Sequence, residues 1–327
     1  MLTRLWQAGS ALALDAVSFA AINALQLRAP VRECTRARFA AYFEPWRDAS
    51  PAEYFALPAD ARLELGAGGG SWPSVWPTGC AANDRFHLDL FLAPDGWRAP
   101  LMLLLHGLMS VSDRGYRRWA ARLNALGWSA AFVHLPYHYG RRPPGTLSGE
   151  WCLTADLVRS AEALRQMVIE LRLVCRAATA LGCPHVGLWG TSYGGLAAAL
   201  LVLLEPAVST AWLLEPIADV DHAFFESPAT IVVRRQLARQ GITRADIADY
   251  VQLVCPSFHQ PLIPPARILL LAGTYDRVTP PAVIRRLHAQ WGGSHYAEFP
   301  QGHVGYRLMP ESLALAQRLM PELFAAR

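Results

Sequence analysis

This 327-residue sequence predicts an α/β fold, a mostly parallel central sheet covered by helices on both faces. Three observations carry that expectation. Short continuous apolar runs recur, as strands buried on both faces require. Segments of helical period separate them. One run, "HVGLWG", passes directly into "TSYGG" and an apolar helical stretch.

The elements follow in order. "MLTRLWQAGSALALDAVSFAAINALQL" reads as an amphipathic helix, with Gln7, Asp15, Ser18 and Gln26 on one side of the wheel. Asp15 interrupts its apolar run, so no uninterrupted stretch reaches the ~18 residues of a spanning helix. Packing on the domain is the plain expectation for it, and peripheral contact with a membrane surface is the alternative. Residues 45–84 are rich in Pro, Gly, Trp and small polar residues and read as an irregular connection, so residues 1–84 form a helix plus extension. From residue 85 to 327 the strand–helix alternation holds. "DRFHLDLFL" alternates Phe86, Leu88, Leu90 and Leu92, the period of a half-buried strand. "PLMLLLHG", "WSAAFVHLP", "HVGLWG", "STAWLLEP", "ARILLLAG" and "SHYAEFP" follow as further strands. Helical spacing appears in Tyr116, Trp119, Leu123 and Leu126, and again in Leu157, Ala161, Leu164, Val168 and Leu171. Residues 217–262 break the rhythm with helical sequence inserted at a strand's carboxyl end, over the ligand-binding edge of such a sheet; a small helical cap is expected there.

Composition narrows the function. An apolar fraction of 53% and a charged fraction of 17% belong to a globular chain. The cationic residues are all arginine, the net charge is only +4, and no basic run is interleaved with stacking aromatics, so nucleic acid is not an expected partner. The six cysteines are scattered without a Cys-x-x-Cys pair, which fits free thiols in a reducing, cytoplasmic setting.

Serine catalysis needs an exposed hydroxyl, a base, an acid to orient the base, and donors for the oxyanion. Ser192 sits in Gly190-Thr191-Ser192-Tyr193-Gly194, where a strand–turn–helix with flanking glycines makes a nucleophile elbow. An ordinary glycine turn is the alternative. Asp276, in "LLLAGTYDRVTPP", lies just past a buried strand and is the acid candidate; Glu215, Asp219 and Asp221 are its rivals. His303, in "FPQGHVGY", occupies the final strand-to-helix loop and is the base candidate. The oxyanion donors expected are the backbone N–H of Tyr193 and that of Leu108, after "LLLHG", with Met109 the second choice and His106 and Gly107 shaping the loop. "HLPYHYGRRPPG" opens onto the same edge. There, Met109, His138, Arg141 and Arg142 are candidate substrate contacts, the arginines serving either an anionic group or structural carboxylates. His134 and His138 stand four apart, but no acidic partner or His-Glu-x-x-His pattern accompanies them, so no metal is expected.

Taken together, "LLLHGLMS", "GTSYGG", "GTYDRVTPP" and "QGHVG" resemble, in content and order, the α/β-hydrolase superfamily over residues 85–327. The loop at 134–145 is similar to one found in a branch of α/β-hydrolase-domain proteins. The resemblance implies a Ser-His-Asp mechanism through an acyl-enzyme, with no cofactor. A carboxylic ester with a small or medium lipophilic acyl group is the expected substrate. A peptidase, thioesterase or acyltransferase with the same triad, or a non-catalytic binding protein on that fold, are the alternatives.

Overall fold

The computed structural model describes residues 2–29 and 35–325, with side chains from Gln7 onward. Cys34 lies outside the described residues; Cys80, Cys152, Cys175, Cys183 and Cys255 are free thiols. Eight strands form one sheet: β1 (Gly69–Pro73), β2 (Arg85–Phe91), β3 (Leu101–Leu105), β4 (Ser129–His134), β5 (Val186–Thr191), β6 (Val208–Leu214), β7 (Ile268–Gly273) and β8 (His295–Phe299). Their spatial order is β1-β2-β4-β3-β5-β6-β7-β8. Strands β3 to β8 run parallel, while β1 and β2 join antiparallel at one edge.

The apolar runs are strands because each feeds two cores at once. In β3, Leu101, Leu103 and Leu105 point into one core and Met102 and Leu104 into the other. Helices cover both faces. Three precede β3: α1 (Leu2–Arg28), α2 (Arg36–Phe43) and α3 (Pro51–Tyr54). After it come α4 (Arg114–Ala125), α5 (Leu157–Ala180) and α6 (Tyr193–Leu204). The α6 sequence is apolar all round because it is buried all round, as such a helix must be. Helices α7 (Val220–Phe225), α8 (Ile231–Arg239) and α9 (Arg244–Val251) form the insertion between β6 and β7. The chain closes with α10 (Pro281–Gln290), β8 and α11 (Leu308–Leu319). Leu123 of α4 and Leu313 of α11 fill one core; α5, α6 and Val233 of α8 fill the other.

Two expectations need correcting. Residues 69–73 are a strand, although Gly-Gly-Ser-Trp-Pro lacks strand periodicity; β1 is an edge strand held by backbone pairing to β2. The first helix does contain a segment, Gln7–Arg28, long and apolar enough by length and composition to cross a membrane, with mean hydropathy 1.5. Average hydropathy tolerates its few polar residues, and Asp15, Asn23 and Gln26 turn toward the protein. Asn23 Nδ2 donates to the Pro228 carbonyl at 2.9 Å, its Oδ1 accepts from the Val232 amide at 2.9 Å, and Gln26 Nε2 donates to the Ala229 carbonyl at 3.2 Å. Leu14 and Val17 face outward instead. The helix is thus docked on the insertion by these hydrogen bonds together with the packing of Phe19 and Ile22 against Ala229 and Val278.

Candidate active site

At the end of β5 the backbone turns sharply into α6, and Ser192 takes φ 54° and ψ −112°, a conformation that costs a non-glycine residue strain. Its amide donates to the Leu214 carbonyl at 2.9 Å, which ties the turn to β6. The flanking glycines are steric necessities. A Cβ on Gly190 would lie 2.3 Å from the Gly194 carbonyl oxygen, and one on Gly194 would lie 2.3 Å from that of Leu105. The frame leaves Ser192 Oγ 2.8 Å from His303 Nε2.

His303 Nδ1 stands 2.8 Å from Asp276 Oδ2. The carboxylate is fully committed: Oδ1 accepts from the Val278 and Thr279 amides at 2.7 and 2.9 Å, and Oδ2 also accepts from Thr279 Oγ1 at 2.7 Å. Burial alone would raise its pKa, but His303 and the Thr279 hydrogen bonds outweigh it, and the group lies below the ordinary carboxylate value. For His303, burial pulls the pKa down while the charge and hydrogen bond of Asp276, with a further push from Asp15, carry it above the ordinary imidazole value. The structure therefore brings Ser192, His303 and Asp276 into one hydrogen-bonded chain.

Glu215, the rival acid, is buried behind them. It does not touch His303; its Oε1 accepts from Gln301 Nε2 at 3.0 Å. Burial, and then the charge of Asp276, push its pKa well above the ordinary carboxyl value, which favours its protonated form. Glu215, Asp276 and His303 come within 4.8 Å of one another; Asp276 is hydrogen-bonded to His303, and Glu215 to Gln301. Asp219 instead caps α7, and Asp221 pairs with Arg244.

The two residues expected to supply the oxyanion amides line the same cavity as Ser192. Tyr193 is the first residue of α6, where an N–H has no acceptor within its own helix. Leu108 follows His106 and Gly107 in the loop after β3, and among the described residues its N–H has no protein acceptor. The Met109 amide is not available, because it donates to His138 Nε2 at 3.0 Å. His138 is thereby corrected from a substrate contact to a brace for this loop. Its Nδ1 donates to the Pro136 carbonyl at 2.7 Å, the ring is wholly buried, and burial pushes its pKa down to about 4, so it is neutral. Met109 itself, at φ 60°, forms the turn and does not line the cavity.

Arg141 and Arg142 are corrected as well. Arg141 is entirely buried and binds Glu170 through Nη1 at 2.6 Å and Nη2 at 3.1 Å, while Nε and Nη2 donate to the Asn83 carbonyl. Arg142 is exposed and folds back onto the Tyr139 carbonyl. Neither reaches the cavity.

That cavity, of about 380 Å³, begins at Ser192, Leu108, Tyr193 and His303 and runs beneath α1, α2 and the insertion. Phe19, Phe39, Phe43, Leu164, Phe224 and Tyr250 supply much of its wall. Asp221 is the one acidic side chain on that wall among the described residues. Sequence reasoning missed a further functional neighbour, Asp15 of α1, whose carboxylate accepts from the His303 and Val304 amides at 2.9 and 2.8 Å. The available signal was that Asp15, Asn23 and Gln26 share one helical face, although a polar face is ordinarily assigned to water.

The fold and these motifs together define an α/β-hydrolase-fold protein. Acetyl xylan esterase 1 from Thermoanaerobacterium sp. superposes with TM-score 0.57 at 16% identity, covering 92% of this chain and 98% of that one. The acetyl xylan esterase from Paenibacillus sp. R4 gives 0.58 at 14% identity, covering 91% and 98%. A puromycin-hydrolysing peptidase of Mycobacterium tuberculosis gives 0.52 at 16% identity, covering 79% of this chain and 40% of that one. In sequence, two uncharacterized proteins of M. tuberculosis, from strains CDC 1551 and H37Rv, are 26% identical over 231 residues, 69% of this chain. The chain spans 54% of their length. No protein-family model matches it.

Proposed function

We propose that this protein is a serine hydrolase that cleaves carboxylic esters of apolar acyl groups. The observation that carries the reading is the chain Ser192–His303–Asp276 opening onto an apolar cavity. Ser192 Oγ attacks the acyl carbon and gives its proton to His303 Nε2. The negative charge that gathers on the carbonyl oxygen is taken up by the N–H groups of Tyr193 and Leu108. As the C–O bond breaks, the imidazolium returns its proton to the leaving alkoxide. Water, deprotonated by the same nitrogen, then releases the carboxylic acid and restores Ser192. Asp276 keeps Nδ1 protonated and stabilises the imidazolium without taking its proton.

Solved proteins of similar fold include esterases and a peptidase, and the apolar cavity is what favours an ester over an amide here. The cavity favours an ester with a hydrocarbon acyl chain, since no cation among its described wall residues would greet an anionic substrate. The test is hydrolysis of p-nitrophenyl esters from acetate to palmitate, with a matched thioester and anilide, by wild type and Ser192→Ala. Preference for a medium chain, abolished in Ser192→Ala, is the expected result. Equal turnover by Ser192→Ala refutes it.

A further inference from the structure

The site contains a carboxylate that the Ser-His-Asp chain does not use. Asp15 is 1% exposed on a helix whose nearby Val17 is 70% exposed. Burying a carboxylate is unfavourable by several kcal/mol unless its oxygens are bonded. Here both are: Oδ2 takes the His303 amide and Oδ1 the Val304 amide, so the two N–H groups that flank the base are fixed by one side chain 288 residues away in sequence. The close approach is made possible by Gly302, where a Cβ would lie 2.4 Å from Asp15 Oδ2, with the other carboxylate atoms its next neighbours. One and two turns further along α1, Phe19 and Ile22 reach the cavity wall. The same helix therefore roofs the cavity and holds the histidine loop.

Resting on the serine hydrolase reading, we propose that Asp15 is a positioning residue for His303, fixing the loop that aims its imidazole at Ser192 and adding negative charge behind it. The acidic groups bearing on His303 come from several elements. Asp276 comes from the loop after β7 and Asp15 from α1; Glu215, at the end of β6, favours its protonated form and is bound to Gln301; Asp221 of α7, on the cavity wall, is tied to Arg244. Asp276 and Asp15 both push the His303 pKa up, against burial, which lowers it.

The experiment follows the rate of fluorophosphonate labelling against pH in the full chain, for wild type, Asp15→Asn, Gly302→Ala and Asn23→Ala, with Ser192→Ala as control. Asparagine turns a donor toward one of the two amides and removes the charge. Labelling of Asp15→Asn is expected to slow at least roughly 10-fold, and its acid limb to move to lower pH by roughly 0.5–1 unit, because less negative charge then supports the imidazolium. Gly302→Ala, which displaces the carboxylate without altering α1, is expected to slow labelling similarly and serves if Asp15→Asn does not fold. Asn23→Ala loosens the same helix at the insertion; its labelling is expected to stay within about threefold of wild type with the limb unmoved.

Wild-type rate and limb in folded Asp15→Asn and Gly302→Ala overturn the proposal. So does an Asn23→Ala loss equal to that of Asp15→Asn with both limbs unmoved, which would make Asp15 a helix anchor alone. If Ser192→Ala labels as wild type does, the hydrolase reading itself falls first.

Discussion

Removing the Arg141 guanidinium separates a substrate-binding arginine from a structural one. Arg141 donates five hydrogen bonds: two to Glu170, two to the Asn83 carbonyl and one to the His134 carbonyl at 3.2 Å. In Arg141→Leu the Glu170 carboxylate keeps only Ser74 Oγ, at 2.6 Å, and both carbonyls lose this donor. Breaking one side of a buried ion pair is destabilising by about 3–5 kcal/mol. At ~2 °C per kcal/mol for a domain of this size, the melting temperature falls by about 6–10 °C. The loss depends on pH. Burial raises the Glu170 pKa even beside Arg141, and without that cation it rises further above its unfolded value. A raised carboxyl pKa gives stability that is present below the unfolded pKa and lost as pH rises through the folded one. The deficit of Arg141→Leu against wild type is therefore smaller at pH 5 than at pH 7. Replacing both partners with leucine recovers most of it, since no buried charge is then left unpaired. Circular dichroism melts at the two pH values, with KM for a chromogenic ester, read the outcome. An unchanged melting temperature with a several-fold higher KM would refute this account and return Arg141 to the substrate.

Three shorter predictions concern the site. Asp276→Asn turns a donor toward groups that already donate and withdraws the charge that holds His303 in its tautomer; kcat is expected to fall roughly 10⁴-fold, with the acid limb of the rate–pH profile displaced to lower pH. Steady-state kinetics across pH would count against the assignment if the fall were only a few-fold. Glu215→Gln keeps an acceptor for Gln301 in a neutral group, so kcat/KM should stay within about threefold of wild type; a loss like that of Asp276→Asn would make Glu215 the working acid. His138→Gln deprives the Met109 amide of its fixed acceptor and loosens the loop bearing Leu108, so kcat should drop roughly 10-fold while KM changes little.

The readable part of the fold was the part whose residues face two cores. Leu101–Leu105 cannot alternate polar and apolar when both faces are dry, and that continuity marks a strand wherever it occurs. Strand β1 escaped the same reasoning because an edge strand built from Gly-Gly-Ser-Trp-Pro has no alternating apolar pattern, and its ties to β2 are main-chain pairing and contacts of Ser71 and Trp72 that only the fold reveals. Ser192 was legible because the elbow imposes glycine at fixed positions, and those collisions are local. The direction of Arg141 was not legible. Whether a loop arginine turns to the pocket or to the core depends on Glu170, a helix away, and on the Asn83 carbonyl from another connection. The partners of Asp15 were not legible for a related reason. A lone carboxylate in an Ala- and Leu-rich helix interrupts the apolar run either way, and only the fold brings the His303 and Val304 amides to it.

The distribution of charge around His303 follows one requirement. In the proposed acyl transfer the imidazole is neutral before attack and cationic as the tetrahedral intermediate forms. Burial alone would resist the cation, and it does so at His138, whose pKa is driven down to about 4 with no carboxylate partner. His303, largely but not wholly buried, has Asp276 at hydrogen-bond distance and Asp15 behind its backbone, and its pKa moves the other way. A third negative charge would have no cation to answer it. Glu215 lies close enough to feel Asp276 and Asp15, and those charges, added to burial, favour its protonated form. Two imidazoles in one protein thus diverge according to the carboxylates that reach them. The one to which the proposed mechanism gives a charge lies where a long N-terminal helix and the loop after β7 each deliver a carboxylate.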